Sequence, residues 1–269
     1  MKKTNLIFVL ILMLGSSLSH ASSESLERID SRGLEQKFVL TTPEANPVAS
    51  VILMAGGHGK LDLSSFLGGV NFGWGAGNNL VRTRGAYAKQ GFLVATMDAP
   101  TNRKTMNAIW RMSDEHAEDI SAVAKYLKEK ADVPVWVIGT SMGSFSAANA
   151  GVRLNGSIDG IVLTSSITKS KSKWKIYDEF PHGIINMDLV KVTRPVLVVS
   201  HQDDECDLTP ASDIKRLASR FTSSPKVEAE VFTGGDSPRS DPCEALSAHG
   251  FLGIEDKVVE RIAAFIKSN

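Results

Sequence analysis

The sequence predicts an α/β fold, a three-layer α/β/α sandwich around a mostly parallel central sheet, on three observations. Short apolar, β-branched runs recur between residues 37 and 232. Most of them are continuously hydrophobic rather than alternating, as strands covered on both faces must be. Helical patterns sit between several of the runs, and strand–helix alternation of this kind lays helices on both sides of a sheet.

The expected strands are "KFVLTT" (37–42), "ASVILMA" (49–55), "GFLVATMD" (91–98), "VPVWVIG" (133–139), "GIVLTS" (160–165), "PVLVVS" (195–200) and "KVEAEVF" (226–232), with antiparallel pairing at the N-terminal edge. Ser113 is a good N-cap for "DEHAEDISAVAKYLKEK" (114–130), where Ile120, Val123, Ala124 and Leu127 mark one apolar face. "ASDIKRLASRF" (211–221) and "IEDKVVERIAAFIKS" (254–268) are amphipathic in the same way, and "SFSAANAG" (144–151) is a small-residue helix able to pack closely on a sheet. Two stretches have no clear period. Residues 61–79 are rich in Gly and Asn, and residues 167–190 separate two strands by more than a helix connection. Both are expected to be irregular loops where an α/β enzyme builds the rim of a pocket, the second as a short lid. No repeat or long linker interrupts residues 22–269, which are expected to form a single domain.

The first 21 residues have the three parts of a cleaved signal peptide: Lys2 and Lys3, an apolar core from Leu6 to Leu14, and Ser19-His20-Ala21 as a cleavage site. The apolar core is well short of the roughly 20 residues that span a bilayer. No cysteine follows it, so no lipid-modified N-terminus is expected. Export would place the mature chain in the periplasm or outside, without stable insertion in a membrane. Thirty basic residues balance thirty acidic ones. No basic stripe suited to a phosphate backbone occurs, and "KSKSKWK" (169–175) reads as a solvated loop, so nucleic acid is not an expected partner. Cys206 and Cys243 are the only cysteines. In an oxidising compartment such a pair favours one disulfide, and two thiols do not make a four-ligand zinc site.

Gly139-Thr140-Ser141-Met142-Gly143 is a G-x-S-x-G match between an apolar run and a helical one. Chance supplies that pattern in about one chain in five of this composition, so its setting carries the argument. A serine hydroxyl is a weak nucleophile at neutral pH. It needs a base, an acid to orient the base, and donors aimed at the developing oxyanion. Of the six histidines, His20 leaves with the signal. His116 reads as a surface residue of a first helical turn, and His58 and His182 lie in loops. His249 follows the last strand and precedes the last helix, which makes it the expected base. The acid should follow "PVLVVS", where Asp204 is the first choice and Asp203 the reserve among Asp203, Asp204, Glu205 and Asp207.

Ser141, Asp204 and His249, in that order and each after a strand, resemble the nucleophile, acid and base of α/β-hydrolase-fold serine hydrolases. The resemblance covers residues 35–267. It implies an oxyanion hole made by the amide of Met142 and one from "MAGGHGK", Gly57 first and His58 second. "GGHGKLDL", "RMSDEHAEDISAVAKYL" and "DPCEALSAHGFLGIE" further resemble a branch of exported bacterial α/β hydrolases without a settled substrate. Dienelactone-type hydrolases carry cysteine at the position of Ser141, and haloalkane dehalogenases aspartate. The activity implied is cleavage of a carboxylic ester through an acyl-enzyme, acting on a small-molecule or acyl-ester substrate with no metal or organic cofactor. An amidase, a peptidase or another acyl-transfer enzyme with the same triad is the alternative, and a catalytically silent binding protein is the alternative from another class. A Cys206–Cys243 bond would tie the acid's loop to the base's loop. Its chain-entropy contribution would be roughly 4 kcal/mol.

Overall fold

The structure is a computed structural model that describes residues 23–269; the signal peptide expected over residues 1–21 lies outside the described residues. The chain opens with an antiparallel hairpin of β1 (Ser23–Ser31) and β2 (Leu34–Thr42), turned by Arg32 and Gly33, both at positive φ. A two-residue turn of that hand matches the twist of the paired strands. The apolar runs do not reveal β1. "SESLERIDS" carries four charged residues, because an edge strand with one solvated face has little to bury.

β3 (Ala49–Met54) then enters the centre of the sheet, and a small hairpin follows, β4 (Leu63–Phe66) and β5 (Gly69–Phe72). The expectation of an irregular loop over residues 61–79 is corrected here. Four-residue strands with mostly solvated side chains leave no alternation long enough to read. Two short helices, α1 (Asn79–Arg82) and α2 (Arg84–Lys89), lead into β6 (Phe92–Met97). After it come α3 (Ala108–Arg111) and α4 (Asp114–Lys130), the latter capped by the Ser113 side chain on the His116 amide. β7 (Val135–Thr140), α5 (Gly143–Arg153), β8 (Gly160–Thr164), β9 (Val196–His201), α6 (Ile214–Ala218), β10 (Val227–Phe232) and α7 (Glu255–Lys267) complete the chain.

The main sheet runs β1-β2-β6-β3-β7-β8-β9-β10. From β6 to β10 every pair is parallel, and β2 joins β6 antiparallel, as expected of the N-terminal edge. Successive side chains of a strand point to opposite faces. On β7, Val135 and Val137 therefore join one core with α4 and α5, while Trp136 and Ile138 join another with α2 and α7. Two separate cores, one on each face, make the three layers. The long connection from β8 to β9 contains two single 3₁₀ turns, at 183–186 and 189–191. It is seated on the domain by Ile167, Ile176, Ile184, Ile185 and Leu189, all buried in the α4–α5 core. Isolated anchors of this kind hold a loop down without a helical period. Among the described residues no helix is long and apolar enough to cross a membrane.

Candidate active site

The parallel strands β3, β7, β8 and β9 all point their C-terminal ends to one edge of the sheet, where α/β proteins assemble binding sites. Ser141 sits there between β7 and α5, with φ +52°. That left-handed conformation costs a non-glycine residue on the order of 1–2 kcal/mol and turns the chain sharply from strand to helix. Its neighbours permit the turn. A Cβ on Gly139 would run into the Gly143 carbonyl, and a Cβ on Gly143 into the Met54 carbonyl. The Ser141 amide donates to Thr164 O at 3.1 Å, which ties the turn to β8.

His249 lies in a 3₁₀ turn, 248–250, between β10 and α7. Ser247 caps that turn by accepting the His249 amide at 3.2 Å, and Ser165 Oγ donates to His249 O at 2.8 Å. The His249 Nδ1 is 2.9 Å from Asp204 Oδ2. The Asp204 side chain is wholly buried, and its carboxylate also accepts the Cys206 amide at 3.0 Å and the Thr209 hydroxyl at 2.8 Å. Three donors offset the cost of burying the charge. With the Thr209 proton given to Asp204, the His249 proton belongs on Nδ1. His249 Nε2, buried and without a hydrogen-bond partner, then offers a lone pair. It faces the same cavity as Ser141, about 470 Å³ in volume, which Gly57, Trp74, Asn78 and Asn79 also line.

Asp203 goes elsewhere. Its amide donates to His201 Nδ1 at 3.0 Å, and it lines a neighbouring cavity with His201 and Glu205. Of the two neighbouring acids, only Asp204 meets His249. The Cys206–Cys243 disulfide is formed, with Cα atoms 4.6 Å apart, and joins the Asp204 loop to the segment before His249. Asp204, Cys206 and His249 bring possible metal-ligand atoms within 4.8 Å of one another. The Cys206 sulfur is spent in the disulfide, and Asp204 and His249 turn their facing atoms on each other, so this donor set does not suit a metal.

The backbone around Ser141 is equally specific. The Met142 amide, ahead of α5, meets no acceptor among the described residues, and neither do the amides of Gly56, Gly57 and His58 in the loop after β3. Unpaired amides in that number are uncommon away from a ligand or solvent. Gly57 has φ +57°, and a Cβ there would lie 2.6 Å from the Trp74 ring, so the rim leaves no room for a side chain on that side. His58 is exposed and stacks on Trp74 with ring centroids 3.7 Å apart; partial burial lowers its pKa.

His116 is not the surface residue its position in a first helical turn suggests. It is fully buried, with Nε2 2.9 Å from Ser146 Oγ, and burial pushes its pKa down to about 3. Its side chain points inward because α4 packs this turn against α5. Residues 167–190 do not line the Ser141 cavity; Lys173–Ile176 instead wall an adjacent groove of about 390 Å³ on the side of Met142. Three contributors escape a motif search: Thr209, Trp74 and the Asn78-Asn79 pair. Asn79 Nδ2 donates to Gly250 O at 2.8 Å and so braces the rim against the His249 turn. The only sequence signal for Trp74 and the Asn pair is an unusual density of Gly and Asn after a buried strand, and Thr209 carries none.

Residues 83–190 match the family described as "Serine aminopeptidase, S33", a span that includes Ser141 and stops short of Asp204 and His249. No curated protein matches the chain significantly in sequence. Among solved structures, an α/β serine hydrolase without a lid from Xanthomonas campestris is similar at TM-score 0.57 and 13% identity, covering 90% of this chain and 96% of the other. A highly thermostable carboxyl esterase from Bacillus coagulans is similar at TM-score 0.58 and 15% identity, covering 92% and 99%. Dipeptidyl peptidase 4 from Porphyromonas gingivalis is similar at TM-score 0.63 and 13% identity, covering 93% of this chain and 36% of that larger one. Strand order, the turn at Ser141 and these likenesses agree: the chain has the α/β-hydrolase fold.

Proposed function

We propose that this protein is an exported serine hydrolase that cleaves a carboxylic ester through an acyl-enzyme, with Ser141 as nucleophile, His249 as base and Asp204 as acid. The observation that carries the reading is His249, with one ring nitrogen on a buried carboxylate and the other unpartnered in the cavity that Ser141 lines. His249 Nε2 takes the Ser141 proton as Oγ attacks the carbonyl carbon. Asp204 holds the tautomer and stabilises the imidazolium. The amides of Met142 and Gly57, with His58 as the other candidate, receive the oxyanion. His249 then protonates the departing alcohol, and the same nitrogen deprotonates the water that releases the acid. Each step moves one proton to or from His249 Nε2 and calls for no cofactor. The substrate is a small molecule or acyl ester, and the charge balance gives nucleic acid no footing.

A fluorophosphonate probe on the mature protein tests the reading. Labelling that disappears in Ser141→Ala and His249→Ala supports it. A folded protein that never labels identifies a silent binding protein instead. A p-nitrophenyl ester series, run beside lactone and peptide substrates, then separates the bond classes. The second reading is a peptidase with the same three residues. It draws on the family description of residues 83–190 and on Glu244, a carboxylate on the cavity wall able to meet an α-amino group. Faster turnover of aminoacyl amides than of esters, lost in Glu244→Gln, would favour it.

A further inference from the structure

Arg111 ends α3 and is fully buried, yet every hydrogen-bond partner it has is neutral. Nε donates to Met106 O at 2.9 Å, and Nη1 to Ser146 Oγ at 2.9 Å. Nη2 donates to Ala55 O at 3.0 Å and, at greater reach, to Gly57 O at 3.4 Å. Burial without a carboxylate draws its pKa down to about 9. A desolvated cation with no counter-charge costs several kcal/mol, so its hydrogen bonds must all be well placed. Ser146, which accepts from Arg111, also meets His116 Nε2 at 2.9 Å, and neutral His116 adds no second charge to the interior.

Two of the four acceptors belong to the loop after β3. A third, Met106, donates its own amide to His58 O at 2.7 Å. The carbonyls of Ala55, Gly57 and His58 are thus all held by the Arg111–Met106 side, while the amides of residues 56–58 stay free of protein acceptors. A trans peptide points its C=O and the next N–H in opposite directions. Drawing in the Ala55 and Gly57 carbonyls therefore turns the Gly56 and His58 amides away from the guanidinium. Gly59 completes the arrangement, since a Cβ there would strike the Arg111 side chain.

We propose that Arg111 is a positioning residue for the oxyanion loop: its guanidinium clamps the carbonyls of Ala55 and Gly57, turns the Gly56 and His58 amides outward, and so fixes the loop whose Gly56 and Gly57 line the Ser141 cavity. The inference rests on the serine hydrolase reading above. It also gives the His58 amide, in the peptide whose carbonyl Arg111 holds, a direct route to the clamp.

The test compares Arg111→Met and Arg111→Lys with wild type on a p-nitrophenyl ester, with folding followed by thermal melts. Arg111→Met should lower kcat on the order of 10²-fold, as loss of an oxyanion donor does, with KM within about threefold of wild type. Arg111→Lys, which keeps the charge but has one donor head, should recover part of that loss. Hydrogen exchange of the Met106 amide, which donates to His58 O, should speed up in the same order. Unchanged kcat per folded molecule would overturn the proposal, as would a loss confined to KM. Failure of both variants to fold would overturn it too, by making Arg111 a support of the whole domain. A wild type that neither turns over esters nor labels at Ser141 would sink the serine hydrolase reading itself. The exchange comparison then decides the clamp alone: faster exchange supports it, and unchanged exchange refutes it.

Discussion

His249 and Asp204 meet at 2.9 Å through Nδ1 and Oδ2, although 45 residues separate them, and Nε2 is left without a hydrogen-bond partner on the cavity that Ser141 also lines. A buried histidine with a carboxylate on one ring nitrogen and no partner on the other is arranged to take a proton from a third group. Several measurements on that arrangement are decisive.

Asp204→Asn should keep the fold and lower kcat about 10⁴-fold, because the amide stabilises the wrong tautomer and cannot balance an imidazolium. Asp203→Asn, whose carboxylate does not reach His249, should leave kcat within about threefold of wild type. Steady-state kinetics on a p-nitrophenyl ester read both, and equal losses would refute the assignment.

Ser141→Ala should abolish fluorophosphonate labelling. Ser141→Gly should do the same yet melt higher than Ser141→Ala, by about 1 kcal/mol, because glycine adopts φ +52° without strain. The difference between the two denaturation curves is the measurement.

Thr209→Val deletes a hydroxyl that donates to Asp204 Oδ2 at 2.8 Å. The buried carboxylate loses one of three donors, so stability should fall by about 1–3 kcal/mol. Turnover per folded molecule should fall about tenfold with KM unchanged, a split that kinetics at matched folded fractions would expose.

Cys206→Ser with Cys243→Ser should remove up to roughly 4 kcal/mol of stability, the chain-entropy value for a 37-residue closure. Because the bond joins the loop of Asp204 to the segment before His249, activity should fall further than the folded fraction. Active-site titration separates the two, and a loss merely proportional to unfolding would refute a positioning role for the disulfide.

His116 sets a pH dependence of stability. Its folded pKa, about 3, lies below the ordinary value of 6.5, so the unfolded chain binds the extra proton. Stability from this group is full above pH 6.5 and is lost as pH falls from 6.5 towards 3, by at most about 1.4 kcal/mol per pH unit. Arg111 and Arg32 add to the depression. Urea titrations from pH 7 to 4 should show a shallower decline for His116→Gln than for wild type.

Local patterning makes part of this protein legible from its residues alone. Seven apolar runs marked the strands of the sheet from β2 to β10, because strands buried on both faces must be hydrophobic throughout. Gly139 and Gly143 around Ser141 announced a turn with no room for side chains, and the order of Ser141, Asp204 and His249 along the chain was visible without coordinates. Which side chains become partners depends on how distant segments pack. Asp203 and Asp204 are chemically alike and adjacent, and one of them faces His249 solely because of how the loop after β9 turns. His116 was indistinguishable from a surface histidine until α4 and α5 packed together around it. The same holds for Arg111 and Thr209, and for the amides of residues 56–58. A hydrogen bond between distant segments leaves no period in either of them, since its energy depends on where two loops meet in space.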